Sequence, residues 1–280
     1  MAMRSARDGF CLEFVPELIA TEGMTTWLTF GGRTWEVTSW MPGRADFHVH
    51  PTRERLEAAC QALAWLHRAW AIPTLPAAPC SAVLRRLQTL QRWHSLLDSG
   101  WMPLFTPGPL AVPSRRAWDL LRVWTPRIRA WLQPWESRPL RQGRCLCDVW
   151  HDHLLFEGDQ LTGIVDYGAL KLDHVAVDLA RMLGSLVGDD DERWARGLTA
   201  YRVIHEEYQP LHPVMSLELL PDGEEALARA LDRTGVILGA SNWLRWLYHD
   251  GRQFDNVDAV VRRLTDLVER MERWQGGLVL

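Results

Sequence analysis

At 280 residues, with 47% hydrophobic and 24% charged side chains, the chain has the makeup of a globular protein that can bury one large core or two smaller ones. Its formal net charge of -4 gives no overall positive field to attract a phosphate backbone, which argues against nucleic acid as a partner. No apolar run approaches the roughly 18 residues a membrane span needs, and the N-terminus lacks an apolar h-region, so no membrane association is expected.

The first forty residues read as β structure. The runs "ELIA", "TTWLTF" and "RTWEVTSW" are short, rich in β-branched and aromatic residues, and separated by Glu22-Gly23 and Gly31-Gly32. Met41-Pro42-Gly43 then breaks the last strand. From Pro51 the period becomes helical. Leu56, Ala59, Cys60, Leu63, Leu66 and Ala69 share one face, and Pro51 suits a first turn. A proline-rich connector leads to helices expected over 81–97 and 113–132. The second of these interleaves Trp and Arg, as a solvated basic face opposite a tryptophan-lined core would. Further helices are expected over 175–186, 191–208, 223–248 and 255–274. The acidic run Asp189 to Asp191 enters one of them where the helix dipole favours negative charge. The pattern predicts an α+β chain: a β segment, then a helical body with one β interruption. Five cysteines, Cys11, Cys60, Cys80, Cys145 and Cys147, form no C-x-x-C pair; they fit reduced thiols in a cytoplasmic protein.

The β interruption carries the chemistry. "RCLCDVWHDHLLFEGDQLTGIVDYG", residues 144–168, crowds Asp148, His151, Asp152, His153 and Asp166 into one stretch. "LLF", "EGDQ" and "LTGIV" read as strand, turn and strand, a hairpin centred near Gly158 and Asp159. Counting outward from the turn brings His151 to His153 opposite Ile164 to Asp166, so two potential metal ligands meet at the open end. Asp148, five residues before His153, lies on the loop entering the first strand and reaches the same space. Phosphoryl transfer uses such a spacing: one Asp orients the attacking hydroxyl and accepts its proton, while the loop ligand and a second Asp hold a metal on the nucleotide phosphates.

"DVWHDHLLFEGDQLTGIVDYGALKLDHVAVDLARML" resembles the catalytic segment of the aminoglycoside phosphotransferase and choline kinase-like family. That segment usually has the form H-G-D-x-x-x-x-N-x-L, a short hairpin, I-D-[FWY]-G and then D-x-A. The resemblance implies that Asp148 is the catalytic Asp, that His153 occupies the metal-binding Asn position, and that Asp166 is the second metal ligand. It implies that Asp178 supports the catalytic loop. "WEVTSWMPGRADF" resembles the strand and linker between the two lobes, which implies that backbone atoms of Ser39, Trp40 and Met41 face an adenine. The implied fold is protein kinase-like, with a partial N-terminal β lobe and linker over 1–43 and a helical C-terminal lobe over 44–280. The implied reaction moves the γ-phosphoryl of ATP or GTP, with Mg or Mn, to a small-molecule hydroxyl acceptor.

The chain departs from that pattern at several points. Leu146 stands where the family usually has His. His153 replaces Asn, and imidazole suits Mn²⁺, Co²⁺ or Zn²⁺ better than Mg²⁺; His151 and Asp152 stand near enough to compensate. The only lysine, Lys171, follows the D-Y-G triplet and cannot be the phosphate-binding lysine. The glycine-rich strand pair, that lysine and its helix would all precede "FVPELIATEG", where Arg4 and Arg7 are the cations at hand. The expectation is therefore that about fifty to eighty further residues are encoded upstream.

Two other classes stay open. Asp46-x-His48-x-His50 has the form seen on the first strand of amidohydrolase barrels, with His151-x-His153 as a second pair. A Pro-Gly turn precedes it, and the eight alternating strand and helix units of such a barrel are not apparent. A kinase-like binding protein without phosphoryl transfer would fit the missing nucleotide elements, but not the retention of Asp148 and Asp166. His67 and His94 read as packing or surface histidines, and Trp150 as a core anchor or a pocket wall.

Overall fold

The computed structural model describes residues 2–207 and 223–276. In chain order these residues form α1 (Ala2–Phe10), β1 (Leu28–Phe30), β2 (Arg33–Trp35), α2 (Arg53–Ala69), α3 (Ser81–Asp98), α4 (Ala111–Leu132) and β3 (Gly143–Cys145). Then come β4 (Leu154–Glu157), β5 (Gln160–Ile164), β6 (Lys171–Asp173), α5 (Ala176–Leu186), α6 (Asp191–Glu207), α7 (Glu225–Tyr248) and α8 (Val257–Gly276). Two compact units result, Met1–Pro76 with Arg141–Glu225 and Ala77–Leu140 with Ala226–Leu280. None of the described helices is long and apolar enough to cross a membrane.

The first unit opens on a helix, which corrects the expected β reading of its first ten residues. No β-branched residue occurs before Val15, and Met3 and Ala6, one turn apart, are both buried. Of the three expected β runs, "TTWLTF" and "RTWEVTSW" each hold a three-residue strand, while "ELIA" makes only an isolated bridge. β1 pairs antiparallel with β2 in the register Leu28↔Trp35. Gly31 and Gly32, at φ 58° and 71°, make the two-residue turn whose twist suits a hairpin. A separate, isolated antiparallel bridge joins Leu18 to Thr38, and beside it the Ser39 N–H donates to the Glu17 carbonyl at 2.8 Å.

α2 begins after Thr52, whose Oγ1 caps it by accepting the Arg55 N–H at 3.2 Å. Its buried face includes Leu56, Ala59, Cys60, Leu63 and Leu66, as the period predicts, together with the polar side chains of Arg55, His67 and Arg68. β4 pairs with β5 from Leu154↔Ile164 to Glu157↔Gln160, with an irregularity between Leu155 and Phe156. A further antiparallel pair, β3 with β6, joins Cys145 to Lys171 and flanks this hairpin in sequence. The helix expected to reach Tyr208 is described to Glu207; Tyr208 lies outside the described residues.

In the second unit, α4 turns Leu120, Leu121, Trp124 and Ile128 inward and leaves Arg115, Arg116, Arg122 and Arg129 exposed. Arg270 of α8 donates to Asp232 of α7 at 2.7 Å in a largely buried ion pair.

Candidate active site

The β4–β5 register sets the geometry of the cluster. Beyond the last strand pair the Val165 N–H donates to the His153 carbonyl at 3.0 Å, so the open end of the hairpin holds His153 opposite the start of the D-Y-G triplet. His151, Asp152 and His153 form one 3-10 turn. His153 Nε2 lies 3.6 Å from Asp166 Oδ2. Asp166 has φ 63°, a left-handed conformation unusual for a residue with a side chain, and its Oδ1 accepts the Gly168 N–H at 3.2 Å.

Asp148 sits on the loop between β3 and this turn. Arg181 Nε, on α5, donates to Asp148 Oδ1 at 2.9 Å. The same guanidinium lies 5.4 Å from the centroid of the Trp150 ring, and the Trp150 indole N–H donates to His153 Nε2 at 2.9 Å. A continuous chain of contacts thus runs Asp148, Arg181, Trp150, His153, Asp166. Because His153 Nε2 accepts from the indole, its proton resides on Nδ1, by inference from the hydrogen bond.

Asp178 anchors the loop from beneath. It is fully buried in the first turn of α5 and accepts the backbone N–H groups of Leu146 at 2.7 Å and Cys147 at 2.6 Å. Its Oδ2 also meets His67 Nε2 at 2.9 Å, and His67 Nδ1 meets the Tyr201 hydroxyl at 2.7 Å. Burial pushes the Tyr201 phenol well above its ordinary range. His67 is therefore a buried, doubly bonded histidine rather than simple packing.

His151 and Asp152 stand beside this chain of contacts, with the His151 ring 4.7 Å from that of Trp150. The His151 N–H donates to Ser185 Oγ at 3.0 Å, its Nε2 lies 3.3 Å from Asp152 Oδ1, and its ring meets His48 edge-on at 4.4 Å. The two histidine pairs of the barrel reading do approach each other. However, Asp46 Oδ1 is taken by Arg55 at 2.8 Å, and the Val49 and His50 N–H groups bond to the Asp46 carbonyl in a turn. The described strands form three separate two-stranded antiparallel sheets, not a parallel barrel.

The linker is stitched to the hairpin. Arg44 and Phe156 exchange backbone hydrogen bonds at 3.0 and 2.9 Å, and Thr162 Oγ1 donates to the Pro42 carbonyl at 2.7 Å. Gly43 permits this approach at φ 96°, since a Cβ there would lie 2.4 Å from Thr162 Oγ1 and 2.9 Å from the Phe156 carbonyl oxygen. Of the three linker residues, Met41 is buried against Gly163, Trp40 is 96% exposed, and Ser39 Oγ accepts the Glu17 N–H at 2.9 Å. Among the described residues, neither the Ser39 carbonyl nor the Met41 N–H has a backbone partner.

The cluster suits a cation. Ligand lengths of about 2.1 Å put neighbouring ligand atoms about 3 to 3.5 Å apart, close to the 3.6 Å between His153 Nε2 and Asp166 Oδ2. Binding there would require the Trp150 indole N–H to release Nε2. Arg181 and His67 had no assigned part in the sequence expectations. Arg181 could have been found from its place three residues after Asp178, on the same side of α5; His67 meets Asp178 across 111 residues and carries no such local signal.

Residues 13–214 match the model of the phosphotransferase enzyme family, APH. A homoserine kinase from Methylobacterium nodulans is 28% identical over 186 residues, 64% of this chain. That match spans 56% of the relative, so the chain covers little more than half the length of the curated relative. The solved aminoglycoside phosphotransferase of Alicyclobacillus acidocaldarius aligns with a TM-score of 0.60 and 16% identity, over 99% of this chain and 80% of that one. A spectinomycin phosphotransferase in complex with ADP and spectinomycin aligns with a TM-score of 0.63 and 10% identity, over 96% of this chain and 80% of that one. These likenesses establish the fold: α+β and protein kinase-like, with a small β portion ahead of a mainly helical body. By the family match over most of its length, the chain belongs to the phosphotransferase enzyme family.

Proposed function

We propose that the chain transfers the γ-phosphoryl group of ATP or GTP to the hydroxyl of a small-molecule acceptor. Asp148 orients that hydroxyl and takes its proton, and His153 and Asp166 hold Mg²⁺ or Mn²⁺. Backbone atoms of Ser39 to Met41 receive the base, residues 1–43 serve as the β lobe and linker, and residues 44–280 as the helical lobe. The observation that carries this reading is the contact chain from Asp148 through Arg181 and Trp150 to the His153–Asp166 pair. ADP in the spectinomycin phosphotransferase complex supports a nucleotide donor. The homoserine kinase similar to part of this chain supports an alcohol acceptor.

Arg181 takes Asp148 Oδ1 and fixes the carboxylate, leaving Oδ2 to accept the acceptor's proton. The acceptor oxygen then bonds to the γ-phosphorus as the bridging P–O bond to the β-phosphate breaks, and the nucleoside diphosphate leaves. Asp178 keeps the loop, and so Asp148, in register. The metal, when bound, would offset charge on the phosphates. Asp152 and His151 pair with each other beside the cluster and are proposed as supporting residues. A cytoplasmic location is proposed too, and five free thiols support it.

The test is acceptor-dependent release of nucleoside diphosphate across a panel of amino alcohols, sugars and aminoglycosides, for the parent and Asp148→Asn. Turnover by the parent that vanishes in the variant supports the reading. Equal turnover by both overturns it, and nucleotide binding with no turnover on any acceptor favours the binding-protein class.

A further inference from the structure

We propose that His67 and Tyr201 are positioning residues for the Asp148 loop, acting through Asp178; this inference rests on the phosphotransferase reading of Asp148. Leu146, directly ahead of Cys147 and Asp148, offers Asp178 no side-chain hydrogen bond. Its side chain is buried, and only its backbone N–H reaches Asp178. The structure fills that deficit from another helix, with His67 of α2 bonding the Oδ2 atom that also takes the Leu146 N–H.

The arrangement fixes the direction of each bond. Asp178 is buried beside two backbone N–H donors and acts as acceptor, so His67 donates from Nε2. Nδ1 is then the acceptor for the Tyr201 hydroxyl of α6, whose burial keeps the phenol protonated. Tyr201, His67, Asp178 and the loop backbone thus form one line of hydrogen bonds across α6, α2 and α5. A buried carboxylate is costly unless all its partners are present. The loop also needs the restraint, because Cys147 is held at φ 65°, a conformation that persists only when its surroundings enforce it. Asp148 is the next residue. Removing the His67 donor would loosen the carboxylate, let Cys147 relax, and move Asp148 out of line.

His67, Cys145 and Asp178 also bring ligand-type atoms within 4.8 Å of one another. Both ring nitrogens of His67 and both oxygens of Asp178 are already engaged in hydrogen bonds, and Cys145 Sγ faces the Asp173 carbonyl at 3.4 Å. Those bonds favour a positioning relay over a metal centre.

The experiment compares His67→Leu, His67→Gln and Tyr201→Phe with the parent by residue-resolved amide exchange and by kcat and KM. In His67→Leu, exchange at the Leu146 and Cys147 amides should rise at least about tenfold while hairpin 154–164 keeps its protection. Its kcat should fall about a hundredfold, the scale of a small misplacement of a reacting group, with nucleotide KM unchanged. His67→Gln, which can still donate to Asp178, should recover most of both, and Tyr201→Phe should lose several-fold. Unchanged protection at those two amides overturns the proposal, as does His67→Gln behaving like His67→Leu, or a loss of protection spread evenly over the unit. If His67→Leu fails to fold, Tyr201→Phe, which removes a single atom, decides by the same amides. If the parent turns over no acceptor, the functional reading fails while the exchange results still judge the relay.

Discussion

Two antiparallel hairpins in the same unit are held in different ways. β1–β2 is closed by a two-glycine turn, and Leu28, Phe30, Trp35 and Val37 are all exposed, Phe30 at 75%. β4–β5 buries Leu154, Phe156, Leu161 and Ile164, and it is tied to the linker by Arg44 and Thr162. Backbone pairing alone leaves a two-stranded ribbon marginal. Burial and tertiary hydrogen bonds give the second hairpin the fixed register that a site requires, and the candidate ligands stand at its open end. A pleated strand supplies direction; the packing around it supplies position.

The strongest challenge to this contrast lies at Asp148. Asp148→Asn keeps the shape and the Arg181 contact but removes the proposed proton acceptor, so kcat should fall by about 10²- to 10⁴-fold while thermal unfolding stays within a degree or two, on the scale set by a few tenths of a kcal/mol. A parent-like kcat would break the link between the pinned hairpin and catalysis.

The next effect concerns stability, and it compares the two hairpins directly. Gly43 and Gly31 both have positive φ, yet a Cβ at Gly43 meets Thr162 and Phe156 whereas one at Gly31 meets nothing within 4 Å. Gly31→Ala should cost about 1 kcal/mol, the backbone strain alone. Gly43→Ala adds a clash with main chain and should cost about 3 kcal/mol or more. Denaturant midpoints measure both. Equal losses would mean that the linker is not held against the hairpin as tightly as the distances imply.

What was legible in the sequence follows the same division. The helices of both units, the β4–β5 hairpin and the meeting of His153 with Asp166 were readable because periodicity and a Gly-Asp turn are local signals. α1 was missed because nine residues around Met3 and Ala6 offer too little period to outweigh the β runs that follow. β3 and β6 have three residues each, and their register joins Cys145 to Lys171, so neither announces its partner. Arg181 is within reach of local reasoning, three residues after Asp178 on α5, but His67 reaches the site across 111 residues. Contacts of that kind are set by helix packing, which residue spacing does not encode.

The third expectation is at His153, where exchange of imidazole for amide tests the ligand assignment. His153→Asn should raise activity with Mg²⁺ relative to Mn²⁺ by about tenfold, since oxygen ligands favour the harder ion. An identical metal ranking in both proteins would remove His153 from the cation site and leave Asp166 alone.

A smaller effect of opposite sign is expected inside the D-Y-G triplet. The Tyr167 hydroxyl is buried with no hydrogen-bond partner among the described residues, and burial drives its pKa upward. Its ring packs edge-on against Trp70 at 5.9 Å, a contact that phenylalanine retains. An orphaned hydroxyl costs about 1 to 3 kcal/mol, so Tyr167→Phe should raise stability by about 1 kcal/mol. A loss instead would reveal a partner that the hydroxyl reaches in solution.

The smallest effect belongs to the first hairpin. Phe30 is three-quarters exposed on a strand that buries neither face, so its side chain contributes little apolar burial to folding. Phe30→Ser should therefore change unfolding free energy by less than about 0.5 kcal/mol, the range of ordinary surface substitutions. The buried counterpart Phe156 packs against Phe47 with ring centroids 6.1 Å apart and lies under the Arg55 guanidinium, 5.0 Å from its ring. Truncation of Phe156 to Ala should cost about 3 kcal/mol or more. Parallel denaturant titrations of the two variants test the contrast at its two ends. If Phe30→Ser proves as damaging as Phe156→Ala, the exposed face of β1–β2 makes contacts in solution, and the first hairpin is as firmly held as the second.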